Sequence, residues 1–263
     1  MKYLHSRNRA ILSEMVRTDF KVRYQNSVLG YVWSLLKPLF LFAILYIVFT
    51  YILALGKGVA HYPVYLLTGV VLWNFFVEST MIGASSVVAK GDLIRKISIP
   101  RYLVVISSSL SALINLLLGF IVIFIFALFN GVVPSLSWFL IIPIIIELFI
   151  FALGVSFLLS ALYVKFRDIT YIWEIFLQAG FYATPIIYPL SRVPAAYQKW
   201  FFINPLAQII QDARYVVVTN TSTTVWSTIH SAAVFIPFIV IIVIAAAGGI
   251  YFKSRSKYFA EEI

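Results

Sequence analysis

The chain has no cysteine, which excludes disulfides, thiol catalysis and thiolate metal sites. Its histidines, His5, His61 and His230, are far apart in the sequence, so a histidine metal site is not expected. Charged residues make up only 11% of the 263 residues and hydrophobic residues 62%, whereas about half of a typical soluble domain is apolar. The composition therefore excludes an ordinary soluble domain and predicts an integral membrane protein.

A nucleotide-binding motif is also missing. The sequence contains no G-x-x-x-x-G-K-[ST] pattern, and Gly56-Lys57-Gly58 has the character of a polar turn. We therefore expect no catalytic residue, no metal and no bound cofactor in this chain, which predicts that it is not an enzyme.

Long apolar runs predict an all-α membrane fold with six spans. The runs cover about residues 28–55, 64–88, 103–129, 136–164, 169–188 and 228–252. A bilayer core about 30 Å thick needs about 20 helical residues, so each run is long enough to cross it. Pro185 in the fifth run predicts a break near its outer end. An amphipathic helix is predicted in residues 1–27, ahead of the membrane domain 28–252, and a polar tail in residues 253–263.

The placement of positive charge orients these spans. All but four of the 20 lysines and arginines lie in segments that the six-span topology places on one side. The exceptions are Lys57, Arg192, Lys199 and Arg214. Because cytoplasmic loops carry the excess of lysine and arginine, that side is predicted to be cytoplasmic, with both termini. The net charge of +10 then indicates contact with membrane lipids and no nucleic acid partner.

The segment DLIRKISIPR, residues 92–101, is a short inner loop between the second and third runs. It can hold about two turns of helix, which Pro100 ends. Leu93, Ile94 and Ile97 share one side of such a helix and predict an exposed apolar stripe that docks into another protein. An ordinary interfacial loop that follows the positive-inside rule remains the alternative.

Residues 194–218 predict a pair of short helices at the outer surface. Each apolar stretch is about ten residues long, too short to span a bilayer, and Asn204-Pro205 stops one helix and starts the next. The second helix has one apolar face, with Gln208, Gln211 and Asp212 predicted away from it. This pattern is typical of a re-entrant or interfacial hairpin.

Three acids fall within the predicted spans, namely Glu78, Glu147 and Glu174. A carboxylate inside a membrane indicates an ion path, a proton relay or a salt bridge, or else a polar neighbour between helices. We favour positions near span ends or beside polar neighbours between helices for Glu78 and Glu174, because no buried lysine or arginine is expected beside these acids. Aromatic residues make up 17% of the chain, and those on spans one, two and five either line a wet path or form interfacial belts.

Several segments together, in their order and spacing, resemble the permease subunits of ABC exporters that move polysaccharides and polyol phosphates. This group exports O-antigen, teichoic acid and capsule chains. The segments are RTDFKVRYQNSVLGYVWSLLKPL (17–39), GDLIRKISIPR (91–101), KFRDI (165–169), TPIIYPLSRVP (184–194) and NPLAQIIQDAR (204–214).

The resemblance implies a bacterial or archaeal cytoplasmic-membrane protein that works as two copies with a separate P-loop ABC ATPase, which holds ATP and Mg. Its substrate would be a lipid-linked glycan or polyol-phosphate polymer, threaded through a channel lined by spans one and five. The implied coupling helix consists of Asp92, Leu93, Ile94, Arg95, Lys96, Ile97, Pro100 and Arg101. The candidate channel residues are Tyr31, Trp33, Trp73, Trp173, Phe181, Tyr182 and Tyr188. The implied outer gate contains Pro194, Tyr197, Asn204, Pro205 and Arg214, and the inner loop contains Arg167 and Asp168.

Two other functions stay open at this point. One is an exporter of the same superfamily that moves a small molecule or drug. The other is an ion-driven secondary transporter, in which Glu78, Glu147 and Glu174 would be the coupling groups. An integral-membrane glycosyltransferase would need acidic pairs at a membrane face, and the sequence shows none.

Overall fold

The computed structural model describes residues 2–24, 32–54, 56–96 and 99–262. The predictions made for Tyr31 and Ile97 lie outside these ranges. The described residues form helices joined by turns, with no β-strand among them, which confirms the predicted all-α fold.

The helices follow one another with short connections. The first half contains α1 (Lys2–Tyr24), α2 (Val32–Ile47) with a π-helical turn (Val48–Ile52), α3 (Tyr62–Ala89), α4 (Gly91–Lys96) and α5 (Tyr102–Phe129). The second half contains α6 (Ile141–Lys165), α7 (Ile169–Ala183), α8 (Ala195–Phe201), α9 (Pro205–Val217), α10 (Val225–Thr228), α11 (Ile236–Arg255) and α12 (Phe259–Glu262). Single 3₁₀ turns at Leu136–Leu140 and Ala232–Phe235 lead into α6 and α11.

Four helical segments of the described chain are long and apolar enough to cross a membrane. They are Tyr62–Ala89, Tyr102–Phe129, Leu136–Lys165 and Ala232–Arg255. They agree with the second, third, fourth and sixth predicted runs, and these four make the protein a multi-pass membrane protein. The first and fifth runs form the shorter helices α2 and α7. Helix α7 ends at Ala183 and the chain unwinds around Pro185, where the break was predicted.

Helix α3 is the centre of the bundle. It packs against α5, α6, α7 and α9 and is buried on most of its surface. Small residues allow the close crossings, because Gly83 of α3 lies against Ser156 of α6, and Gly154 of α6 lies against Gly248 of α11. Such contacts let helix backbones approach each other closely inside a membrane.

One end of the bundle is closed by a second apolar cluster, which we call the inner cluster. It joins Met15 of α1 and Ile94 of α4 to the spans and the C-terminal helix. Its buried members are Met15, Val87, Ile94, Val104, Val105, Ala161, Val164, Phe252 and Phe259. Helix α1 is also tied to the bundle by an ion pair of 2.6 Å between Asp19 and Lys90. The short helices at this end therefore pack on their own chain.

The predicted pair of short helices is present at the other end, as α8 and α9. Asn204 caps α9, because its side-chain oxygen accepts a hydrogen bond of 3.0 Å from the backbone of Leu206. Helix α9 is not two-faced, however. Gln208 and Gln211 are fully buried along with the apolar residues, because α9 is inserted among α3, α6 and α11. The predicted polar outer face of α9 is therefore wrong.

Candidate functional site

Helix α7 carries a polar stripe on its exposed surface. Tyr171, Glu174, Gln178 and Tyr182 are spaced by three or four residues, so they lie on one helix face. All four are exposed, the two tyrosines by about two thirds of their surface (70% and 67%), and the exposed surface of α7 also carries the apolar residues Ile172, Ile175 and Phe176. Of the 15 residues of α7, Leu177 alone is buried. We call these four residues the α7 stripe.

The α7 stripe cannot face hydrocarbon favourably. An acidic side chain exposed to lipid costs about 2.5 kcal/mol or more at the middle of a membrane, and lipid offers an exposed amide no hydrogen-bond partner. Glu174 lies in the second turn of α7 and Gln178 in the third, so this face favours contact with water or another protein surface. Of the two positions favoured from the sequence, Glu174 has the one near a helix end, because it lies on an exposed face.

Aromatic rings hold the other side of α7 against α3. The ring centroids of Trp73 and Phe181 are 5.9 Å apart, and Trp173 donates a hydrogen bond of 3.0 Å from its indole nitrogen to Thr80. Gly180 allows the approach, since a Cβ atom there would lie 3.0 Å from Trp73. These rings fix the direction in which the α7 stripe points.

The predicted channel residues therefore separate into two groups. Tyr182 lies on the exposed face, and Tyr188 supports it by donating a hydrogen bond of 3.2 Å to its carbonyl oxygen. Trp73 is only 5% exposed and packs between α3 and α7. The prediction that it lines a channel wall is therefore wrong. Trp173 and Phe181 are half-buried in the same packing.

Trp33 belongs to a different place. It lines a cavity of about 650 Å³ between α2, α3 and α5. The polar part of this cavity is Asn74, Glu78 and Asn115, and Asn115 donates a hydrogen bond of 2.7 Å to Glu78. The expectation that Glu78 has a polar neighbour between helices is confirmed.

A fully buried arginine fixes the C-terminal end of α7. Arg214 of α9 donates hydrogen bonds to the backbone carbonyls of Tyr65, Pro185 and Ile186, at 3.0, 2.5 and 2.6 Å. Its guanidinium also stacks 3.5 Å from the centre of the Tyr65 ring. Gly69 leaves room for it, because a Cβ atom there would lie 2.5 Å from the guanidinium. Arg214 thus replaces helical donors that the chain loses where it unwinds after α7.

This position corrects the prediction of Arg214 as an outer-surface residue. Two other members of the predicted gate lie at the start of α9: Asn204 donates a hydrogen bond of 2.9 Å to Thr184, and Pro205 begins α9 and is buried. Pro194 and Tyr197 are exposed at the start of α8. A sequence signal was available, because carbonyls freed at Pro185 need buried donors.

A second polar contact joins α9 to α6. Gln208 donates a hydrogen bond of 2.7 Å to Asp212 and lies 3.5 Å from the carboxylate of Glu147. Burial raises the pKa of Asp212, on α9 outside the four candidate spans, from 3.8 to about 6. Glu147 therefore also has a polar neighbour.

The segment predicted to dock into another protein is helix α4 and the turn after it. Ile94 is 8% exposed and Leu93 packs on the inner cluster, so the predicted exposed apolar stripe is wrong for these two residues. These two side chains pack against residues of their own chain and not against another protein. The exposed residues of α4 are Asp92, Arg95 and Lys96.

The remaining predicted residues of this end lie at helix boundaries. Pro100 precedes α5, and Arg101 donates a hydrogen bond to the carbonyl of Ser256 after α11. Arg167 and Asp168 are exposed between α6 and α7, and the Arg167 guanidinium lies 5.2 Å from the centre of the Tyr163 ring. The exposed surface of this end is therefore charged.

Comparison with known proteins places this architecture. The family described as ABC-2 type transporter matches residues 12–218. The O-antigen export system permease protein RfbA of Klebsiella pneumoniae is 34% identical over 212 residues, which are 80% of this chain and 81% of that protein. RfbA of Myxococcus xanthus is 26% identical over 97% of this chain and 96% of that protein. The polysialic acid transport protein KpsM of Escherichia coli is 22% identical over 76% and 78%. The chain thus belongs to the ABC-2 type transporter family, which confirms the resemblance read from the sequence motifs.

Proposed function

We propose that this protein is the membrane permease of an ATP-driven exporter that moves a lipid-linked polysaccharide or polyol-phosphate polymer across the cytoplasmic membrane. Its relatives are named for the export of O-antigen and the transport of polysialic acid, which supports a polymeric sugar as the substrate class. The structural observation that carries the proposal is the exposed α7 stripe.

Two copies of the chain would cover this stripe and enclose a wet path. The helix extends about 22 Å at 1.5 Å per residue, so its stripe is long enough to line much of a membrane passage. Tyrosine rings can stack on the apolar faces of sugars while their hydroxyl groups, with Glu174 and Gln178, take hydrogen bonds from the sugar hydroxyls. Helix α2 also exposes an apolar face, at Phe40, Ile44 and Ile47, next to which a second copy can pack.

The proposed topology has six crossings with both termini in the cytoplasm. The four long segments supply four of them. Helix α2 and its π-helical turn, with 16 and 5 residues, reach about 32 Å and supply the first. Helix α7, with the unwound segment that follows it, supplies the fifth.

The energy would come from a separate ATPase that binds ATP and Mg, since the chain has no P-loop motif. The exposed charged residues of α4 and the neighbouring helix α1 would form the docking surface. The buried side of α4, through Ile94 and the inner cluster, would pass its displacement to the spans. Glu14 and Arg17 on the exposed side of α1 extend this charged surface.

Export from membrane vesicles that contain the permease and its ATPase tests the proposal. Because the chain has no cysteine, Tyr182→Cys gives a single thiol per copy. Cross-linking two such copies with a short bismaleimide should stop ATP-dependent polymer export, while the same treatment of Ile239→Cys on α11 should leave it unchanged. Polymer export by the permease without any ATPase, or full export after Tyr182→Cys has been cross-linked, would contradict the proposal.

A further inference from the structure

A second large cavity lies at the inner end of the bundle, away from the α7 stripe. Its volume is about 860 Å³, and it is bounded by α4, the start of α5, α6 and the end of α11. No residue of α7 lines it among the parts of the chain that the structure describes. A conduit along α7 does not account for this cavity.

The cavity is positively charged. Arg95 of α4, Arg101 before α5 and Lys253 of α11 line it, and within residues 2–24, 32–54, 56–96 and 99–262 no acidic side chain does. Arg101 is half-buried and is held by the carbonyl of Ser256, whereas Arg95 and Lys253 are exposed. The 28-residue helix α5 also begins here, and a helix start carries partial positive charge.

Two acids near the cavity, among the side chains that the structure describes, lie outside its lining. Glu262 of α12 pairs with Arg255 at 2.7 Å, and Asp92 of α4 is exposed outside the cavity lining. The three cations of the cavity are therefore available to an anion.

The floor of the cavity is apolar. Phe157 of α6 and Phe252 of α11 pack with ring centroids 5.0 Å apart, and Ile94 lies beside them. At Gly249 a Cβ atom would have no neighbour within 4 Å, so the floor is open at this point. A free inorganic anion gains nothing from such a floor, whereas a hydrocarbon chain gains about 25 cal/mol for each Å² it buries.

We propose that this cavity binds the phosphate headgroup of an anionic phospholipid from the cytoplasmic leaflet, with the start of an acyl chain over Gly249 and Phe252. Basic pockets between membrane helices on the cytoplasmic side have the chemistry that such headgroups require. Because α4 and α11 both contribute cations, the lipid joins α4 to the end of the last span. The cytoplasmic orientation rests on the proposed topology, while binding itself is measured without export or ATP.

Native mass spectrometry of the purified permease, with phosphatidylglycerol and phosphatidylcholine added in equal amounts, tests the site. Wild type should retain phosphatidylglycerol in preference. In the variant Arg95→Gln with Lys253→Gln, the preference should fall about tenfold or more, because each cation near an anionic lipid contributes about a factor of five. The matched control, Lys165→Gln with Arg167→Gln, removes the same charge from the same end of the bundle outside the cavity and should keep the preference.

A second variant tests the floor and leaves every cation in place. Gly249→Leu adds a side chain at a point where a Cβ atom has no neighbour within 4 Å, so the protein should fold and retain several-fold less phosphatidylglycerol. Equal retention of the two lipids by wild type, or an unchanged preference in the Arg95→Gln, Lys253→Gln variant, would overturn the proposal. Displacement of the lipid by inorganic pyrophosphate at equal concentration would overturn the assignment to a lipid, since the apolar floor would then contribute nothing. Failure of export alone would leave this binding result unchanged.

Discussion

Helices α7 and α11 both expose most of their surface, but the chemistry of the two surfaces differs. Helix α11 exposes Ile239, Ile242, Val243 and Ile250, whereas α7 exposes the two tyrosines, the acid and the amide of its stripe beside the apolar residues Ile172, Ile175 and Phe176. A surface that faces lipid needs only apolar groups, while exposed polar groups at membrane depth need water or protein. An exposed residue of a single chain can therefore face lipid or face water and protein, and the type of its side chain distinguishes the two cases.

The largest effect is expected at the clamp that holds α7 in place. Arg214→Gln removes the fork that three backbone carbonyls share, and each buried carbonyl left unpaired costs about 1 to 3 kcal/mol. We expect a drop of several degrees or more in the apparent melting temperature and loss of export. Thermal unfolding of the purified permease in detergent measures the first effect.

Arg214→Lys is the matched control for this clamp. Lysine keeps the charge but lacks the planar fork, so it should recover only part of the lost stability. A fully stable Arg214→Gln variant would show that α7 is held by its aromatic packing alone.

A smaller effect should distinguish the two exposed helices directly. Ile242→Glu puts an acid on the lipid side of α11 and should cost about 3 kcal/mol, seen as a lower yield of folded protein in the membrane. Gln178→Glu puts the same acid on the α7 stripe and should leave the yield near that of wild type. Equal losses in both variants would mean that α7 also faces lipid.

Export rates should distinguish between two of the predicted channel residues, Tyr182 and Trp33. Tyr182→Ala removes an exposed ring from the α7 stripe and should slow export several-fold with normal ATPase assembly. Trp33→Ala changes the separate cavity of α2 and should slow export less, although the sequence grouped both residues in one channel. Initial rates in vesicles decide between them, and a larger loss for Trp33→Ala would move the path toward α2.

The smallest effect is expected at the contact between α9 and α6. The pKa of Asp212 is raised by burial to about 6, so the folded protein binds its proton more tightly than the unfolded chain does. This group's contribution to stability is therefore favourable at low pH and is lost as the pH rises from about 4 through about 6. Asp212→Asn should remove this pH dependence and make the protein slightly more stable than wild type at pH 8. Melting temperatures of both proteins between pH 4 and 8 provide the check, and identical pH profiles would count against burial of this carboxyl group.

The sequence predicted the helical architecture well because apolar length is a local property. Runs long enough to cross a bilayer fixed the four long segments, and Asn204-Pro205 fixed the turn between α8 and α9. The ABC-2 family was likewise readable from the order of short motifs. Apolar length, helix stops and motif order can be read without knowing which helices pack against each other.

The errors arose where the neighbour decides the role of a residue. Ile94 was predicted to dock into a partner, but its groove is formed by Met15 and Phe252 of the same chain. Gln208 was assigned to a polar face and Arg214 to the outer gate, while Glu147 and the unwound carbonyls that they contact are distant in sequence. Periodicity identifies a face of a helix, and only the fold shows what covers it.

Thiol labelling can show whether the exposed face of α7 meets water rather than lipid. In membranes, Gln178→Cys on α7 and Ile242→Cys on α11 would each be treated with a membrane-impermeant maleimide, with labelling in detergent as the reference for full access. We predict fast labelling of Gln178→Cys and almost none of Ile242→Cys. Equal protection of both thiols in the membrane would contradict the account.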